Sequence, residues 1–281
     1  MTPNGIKLIV FQTWTALRRY GPAAAFYFLS ANLRRKSGST RLAIHRLSLR
    51  GFEHPLHLRE GRSDPYFFGQ IFLDQEFAPT RGLDVSTVVD LGANAGLASV
   101  WFLNTFPGAR VVSIEANPDN YPSLEANLQP YGDRAIVVKG GVWSRKTPLA
   151  LVRGRDEGDA GVREAVAGDN PLDLMDGWDM PALMARGGFT QIDLLKIDIE
   201  GAEVELFLNS PQLLNNPELL NNPDRWLSCV RNLSVELHGA ASSAALERAL
   251  ASYTFRRQIC GELTFCFDLR PKQPSPSGSA S

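Results

Sequence analysis

Val88-Val89-Asp90-Leu91-Gly92-Ala93-Asn94-Ala95-Gly96 decides the fold. An apolar run ends on an acid, breaks into a tight turn and opens into the apolar stretch that follows. The pattern predicts a strand over residues 87–91 and a helix over 96–106. Glycine at 92 and 96 lets the backbone of such a turn approach a ligand closely.

Working outward, the same rhythm repeats. Residues 110–115 read as a strand, 119–128 as a helix and 136–139 as a third strand; further on come strands at 192–199 and 233–237, helices from 202 and 242, and a closing hairpin from 255–259 and 263–269. Short apolar runs alternating with helical stretches imply βαβ units and a doubly wound α/β sheet of Rossmann-like class. This body spans 81–270. It is interrupted by an insertion at 153–188, rich in Gly and Asp over its first part and poor in periodicity, which reads as a surface lid or substrate loop. The repeated Leu-Leu-Asn-Asn-Pro at 213–217 and 219–223 reads as a loop without function, and the Pro- and Ser-rich tail over 271–281 as disordered.

Residues 1–80 form an extension of different character. Two short helices flank Gly21-Pro22, two short strands flank Gly51, and Tyr66, Phe67, Phe68, Phe72 and Phe77 are expected to pack this piece onto the body. The first sixty residues hold ten Lys and Arg against Glu53 and Glu60, a balance of +8; with −1 for the whole chain, the remainder carries −9. A basic arm on an acidic body suits an anionic partner: a phosphorylated substrate or a lipid surface, with nucleic acid disfavoured by the acidic body. The stretch from Gly21 to Leu33, followed by Arg34, Arg35 and Lys36, fits peripheral contact with the inner face of a membrane. Cys229, Cys260 and Cys266 form neither a CxxC pair nor an even set, which points to a reducing cytoplasm; no secretory leader or membrane span is expected.

The turn itself selects a ligand. A dinucleotide fold needs Gly-x-Gly-x-x-Gly so that pyrophosphate rests on bare backbone, but Asn94 and Leu97 hold the second and third glycine places. A carboxylate at Asp90 repels pyrophosphate and attracts a cation, and S-adenosylmethionine carries an ammonium and a sulfonium. Glu115, 25 positions on at the next strand end, suits the two ribose hydroxyls of any adenosine ligand.

Three elements together resemble the FkbM family of methyltransferases: the turn from Asp90 to Gly96, the acid Glu115, and Lys196-Ile197-Asp198-Ile199-Glu200-Gly201-Ala202-Glu203. Glu236-Leu237-His238 is similar to a later element of the family. The resemblance covers roughly 88–239 and implies S-adenosylmethionine as cofactor, a sheet ordered 3-2-1-4-5-7-6 with its last strand antiparallel, and methyl transfer to oxygen on a polysaccharide, glycolipid or natural product. The family's small pair after the third strand reads Gly140-Gly141-Val142 here, so adenine contacts are assigned to Gly141 and Val142. The cofactor set is then Asp90, Gly92, Asn94, Gly96, Glu115, Gly141, Val142 and Asp198.

A sugar hydroxyl is a poor acid and needs a base, a metal or both. Ligands of open α/β sheets bind beyond the carboxyl ends of the strands, where Asp198, Glu200, Glu236 and His238 fall. The expectation is that Asp198 faces methyl and acceptor, His238 is the base and Glu236 orients it, with Asp198, Glu236 and His238 also suited to a divalent ion. Competing readings are a noncatalytic nucleoside-fold scaffold, a nicotinamide-dependent oxidoreductase and a nucleic-acid methylase.

Overall fold

The computed structural model describes residues 3–36, 43–153, 160–210 and 226–272. The chain begins with α1 (Pro3–Tyr20) and α2 (Pro22–Lys36), packed against each other across the break expected at Gly21-Pro22. Proline has no N–H to continue a helix but suits the start of one, so α1 stops where α2 starts. Two antiparallel strands follow, β1 (Ala43–Leu47) and β2 (Leu56–Glu60), then α3 (Asp64–Phe68), which runs into a π-helical turn over Gly69–Leu73.

The body contains β3 (Thr87–Leu91), α4 (Leu97–Thr105), β4 (Arg110–Glu115), α5 (Tyr121–Leu128) and β5 (Ala135–Lys139). After them come β6 (Gly141–Val142), β7 (Pro148–Arg153), β8 (Ala160–Glu164), β9 (Leu174–Trp178) and α6 (Met180–Gly187). The last part comprises β10 (Leu194–Ile197), α7 (Glu203–Leu208), β11 (Leu233–Glu236), α8 (Ala240–Leu250), β12 (Tyr253–Cys260) and β13 (Leu263–Pro271). Seven of these strands make the central sheet in the order β12-β13-β11-β10-β3-β4-β5. Counted along the chain within that sheet and read from β5, the order is 3-2-1-4-5-7-6. β13 runs antiparallel to both β11 and β12, while β4, β3, β10 and β11 pair in parallel. The strand order reverses between β3 and β10, which opens a crevice at their carboxyl ends.

Alternation along the strands divides the core. Val88 and Val111 face a cluster with Trp101, Phe102 and Leu124, whereas Val89, Leu91, Val112, Ile114, Leu195 and Ile197 face one with Leu183, Leu206, Phe207 and Leu246. The first cluster runs on without interruption into Ala16, Tyr20, Phe28, Leu58, Phe68 and Phe72. The extension therefore shares the body's core. Of its expected aromatic clamp, Phe68, Phe72 and Phe77 are buried, and Tyr66 is half exposed.

The insertion is where the sequence reading needs correction. Rather than a structureless loop, it supplies β8, β9 and α6; with β6 and β7 the two strands form a four-stranded sheet in the order β6-β9-β7-β8. Its strands β8 and β9 bury no large apolar side chain of their own and lean on Leu149, Ala150 and Leu151 of β7, so they leave no periodicity to read; the insertion's buried Met180, Leu183 and Met184 belong to α6. The 213–217 and 219–223 repeats and nearly all of the tail lie outside the described residues. Among the described residues no helix is long and apolar enough to cross a membrane.

Candidate active site

The turn after β3 is held in place by contacts that leave little choice of residue. The N–H groups of Gly92 and Ala93 both donate to Ile114 O on β4, at 3.0 and 2.9 Å. Gly92 has φ +78°, and a Cβ there would stand 1.7 Å from Asp198 O, so only glycine lets the loops after β3 and β10 touch. Gly96, also left-handed, admits Leu124 of α5 to within 2.9 Å of where a Cβ would be. Gly96 lines neither cleft described below; its role is helix packing, not the ligand contact expected of it.

Asp90 also departs from expectation. It is fully buried, accepts a hydrogen bond from Ser99 Oγ at 2.6 Å, and sits 3.2 Å from Lys196 Nζ. Ser99 in turn meets Ser113 Oγ at 2.7 Å. Lys196 Nζ lies between two acids, with Asp198 Oδ2 at 3.4 Å, and donates to Gly92 O at 2.7 Å. Burial lowers the lysine pKa, but Asp90 and Asp198 outweigh it and push the pKa up, keeping the ammonium charged. The Asp90 charge is thus met inside the protein by Lys196, and Asp90 lines neither chamber described below; it anchors the lysine that ties the glycine turn to β10.

Glu115 ends β4 at the wall of a cleft. Its Oε1 accepts from Asn117 N and Asn120 Nδ2, both at 2.9 Å, and its Oε2 from Asn94 N at 2.8 Å. Burial pushes its pKa up, and these three donors pull it back only in part. Asn94 is held at φ +50° and receives Arg59 Nη2 on its side-chain oxygen at 3.1 Å. Arg59 belongs to β2 of the extension. It pairs with buried Asp64 at 2.6 Å and donates to Asn120 Oδ1 at 2.7 Å, so it braces two of the three residues that donate to Glu115. Nothing in the local sequence around Arg59 marks this role.

Two chambers meet at Phe67, Gly92, Asn94 and Asp198. One is lined by Glu115, Asn117, Gly141 and Val142, and by Ala160 and Val162 of β8. Gly141 and Val142, to which the sequence reading assigned adenine contacts, line this chamber, and the insertion contributes a wall of it. The other is lined by Gln70, Ile71, Glu76, Phe77, Lys196, Glu236 and Leu263. Glu115 in one chamber, Asp198 at the junction and Glu236 and Glu76 in the other suit a ligand with hydroxyl groups at one end and cationic groups at the other.

Beyond β10 and β11 the expected quartet does come together. His238 Nδ1 lies 3.0 Å from buried Glu203 Oε1, while its Nε2 lies 3.4 Å from Glu200, 3.8 Å from Glu236 and 3.9 Å from Asp198. The hydrogen bond to Glu203 and the surrounding carboxylates push its pKa up to about 9 against the pull of burial. His238 lines neither chamber, and a pKa raised that far favours the imidazolium near neutrality over the neutral base that the sequence reading assigned. Glu236 behaves in the opposite way. Burial and the Asp198 charge push it up to about 7, and it faces the second chamber. Glu76, which the sequence reading passed over at the end of the aromatic segment, is pushed up by burial to about 8 in the same chamber. Asp198, Glu200 and His238 each offer one ligand atom, all within 4.8 Å of one another, so Glu200 replaces Glu236 in the set with divalent-cation donor chemistry.

A Rossmann-like sheet with a cleft at its switch point and acids along it fits an S-adenosylmethionine-dependent methyltransferase. The profile of the methyltransferase FkbM domain matches residues 90–257, more than half of the chain, and the chain belongs to that family. No curated protein matches it. Similar solved structures include a methyltransferase from Geobacter sulfurreducens, with 17% identity, coverage of 69% of this chain and 76% of that one, and a TM-score of 0.38. Another is the O-methyltransferase TomG from Streptomyces achromogenes, involved in tomaymycin synthesis and solved with S-adenosylmethionine, at 14% identity, 69% and 78% coverage and a TM-score of 0.38. A third is a putative rRNA-methylase from Clostridium thermocellum, at 9% identity, 72% and 97% coverage and a TM-score of 0.41. The family match, not these distant likenesses, carries the assignment.

Proposed function

We propose that the chain methylates a hydroxyl group, on a sugar of a glycolipid, polysaccharide or natural product, with the acceptor entering the second chamber. One observation carries this reading: that chamber joins the nucleoside chamber at Asp198 and holds a carboxylate, Glu236, whose pKa of about 7 suits it to take a proton near neutrality.

The bound cofactor supplies an electrophilic methyl on a sulfonium. The protein's residues do the rest. Glu115 accepts the ribose hydroxyls, and Gly141 and Val142 border the adenine. Asn94 and the Gly92 turn form the floor where the chambers meet, and Asp198 presents negative charge to the cationic end. Phe67, Phe77, Ile71 and Leu263 give the acceptor chamber apolar walls on which the faces of a sugar ring can rest, leaving its hydroxyls for Glu236, Glu76 and Gln70. Glu236 takes the acceptor proton as the oxygen attacks. The His238 imidazolium, 3.8 Å from Glu236, balances the carboxylates around it and keeps Glu236 from rising further. Orientation of acceptor oxygen toward the methyl supplies much of the rate.

The test pairs calorimetric titration of S-adenosylhomocysteine with methyl transfer to glycan and lipid-linked acceptors. Glu236→Gln should bind S-adenosylhomocysteine as the parent does and lose about 10²- to 10⁴-fold in turnover. Unchanged turnover would remove Glu236 as base, and transfer only to nitrogen-bearing acceptors would overturn the hydroxyl assignment.

A further inference from the structure

The two N-terminal helices bury one face and leave the other bare. Ala16 and Tyr20 of α1 and Ala24, Ala25, Phe28 and Ala31 of α2 pack inward. Outward, Val10, Phe11, Trp14 and Leu17 follow one another at helical spacing on α1, with Val10 63% and Phe11 59% exposed. On α2, Phe26, Leu29 and Leu33 do the same, with Phe26 71% exposed. Single exposed apolar residues are ordinary, but two ordered stripes on adjacent helices mark a surface that meets something.

Charge identifies the partner. Residues 1–52 contain nine Lys and Arg and no Asp or Glu. Lys7 borders the shallow depression formed by Val10, Phe11 and Trp14. The Arg18 guanidinium lies 4.7 Å from the centre of the Trp14 ring, and Arg19 follows it in the last turn of α1. Apolar side chains that include Trp and Phe, fringed by cations with no acid among them, match the interface of an anionic bilayer, where rings enter the acyl boundary and cations meet phosphate. A protein partner or a second copy of this face would need acids to answer the cations, and this face has none.

The same helices are joined to the acceptor chamber. Gln12 donates to Asp74 at 2.8 and 3.0 Å, Tyr20 Oη donates to Phe72 O at 3.0 Å, and Phe28 packs on Gly69. The π-helical turn they grip supplies Gln70 and Ile71 to the chamber. The bare face and the chamber lining are therefore connected through the same two helices.

We propose that the outer face of α1 and α2 docks this protein on an anionic phospholipid surface, and that the acceptor is presented from that surface on a lipid. The second half rests on the hydroxyl-methylating reading above; the docking does not. The test is sedimentation of the full chain with phosphatidylcholine vesicles, with and without phosphatidylglycerol. Binding is expected only with phosphatidylglycerol, weakening as salt rises. Arg18→Glu/Arg19→Glu should weaken it by about 30-fold or more, the two lost cations counting about 1 kcal/mol each. Phe11→Ser/Trp14→Ser should do so while leaving S-adenosylhomocysteine affinity unchanged, which shows the variants folded. Absence of binding at low salt, or binding equal in both variants and the parent, overturns the docking. Dimerisation that both variants abolish also overturns it, in favour of a second copy. If vesicles bind but a lipid-linked acceptor is methylated no faster than its water-soluble headgroup, the acceptor half falls alone.

Discussion

Arg59 Nη2 lies 3.1 Å from Asn94 Oδ1, so a residue of the N-terminal extension braces the turn that floors the cofactor cleft. The same guanidinium holds Asp64 and Asn120, and Asn94 and Asn120 both hold Glu115. Arg59→Lys keeps a cation for Asp64 but loses the planar fork that spans three partners. Affinity for S-adenosylhomocysteine should fall about 10-fold, the equivalent of one lost hydrogen bond to a charged group, with the fold retained. Calorimetry on the two proteins decides it, and equal affinities would make Arg59 a purely structural residue.

Lys196 and Asp90 form a buried pair, so removing one partner should cost far more than removing both. Lys196→Met leaves Asp90 charged and unpaired and is expected to destabilise by about 3–5 kcal/mol. Lys196→Met/Asp90→Asn should recover a large part of that loss. Denaturant unfolding of the two single variants and the double variant gives the coupling. A double variant as unstable as the sum of the singles would show that the pair acts through its separate neighbours.

The pH dependence of turnover should follow Glu236. Its deprotonated form is the base, so kcat/KM is expected to rise about tenfold per pH unit below about 7 and to level off above it. Glu236→Gln should remove that limb along with most of the rate. A limb near 9 in the parent instead would return the role to His238.

His238 and Glu203 make a prediction about stability with a definite sign. The folded pKa of His238 is raised to about 9, so its contribution is fully present below the unfolded histidine value and is lost as pH rises through about 9. His238→Ala leaves Glu203 buried without its cation and should destabilise by about 1–3 kcal/mol at pH 6. The gap from the parent should narrow between pH 7 and 9.5. A gap independent of pH would mean that the ring contributes packing alone.

Much of this molecule was legible along the chain. The strands from Thr87 to Leu91 and from Arg110 to Glu115 fall where apolar alternation put them, and the break at Gly21-Pro22 falls between two helices. Glu115 stands at the cleft because a strand end five or six residues after its start is a local fact. The small sheet built by the insertion was hidden, because its strands are short and pair with β7 and β6 rather than with one another. The partners of Asp90 and His238 were hidden for a related reason: each is an acid or base at a strand end, but which charge it meets is not a property of its neighbours in sequence.

The sequence by itself determined the succession of strand, turn and helix, the positions that must be glycine at 92 and 96, and the family to which the chain belongs. These depend on backbone conformation and apolar periodicity, which act over a few residues. Only the tertiary structure decided which charges cancel and which remain for chemistry. Lys196 neutralises Asp90, Glu203 holds His238 protonated, Arg59 crosses from the extension to Asn94, and Glu76 and Glu236 are left facing a chamber. Electrostatic coupling depends on distance through space and on the polarity of what lies between, and folding alone sets both.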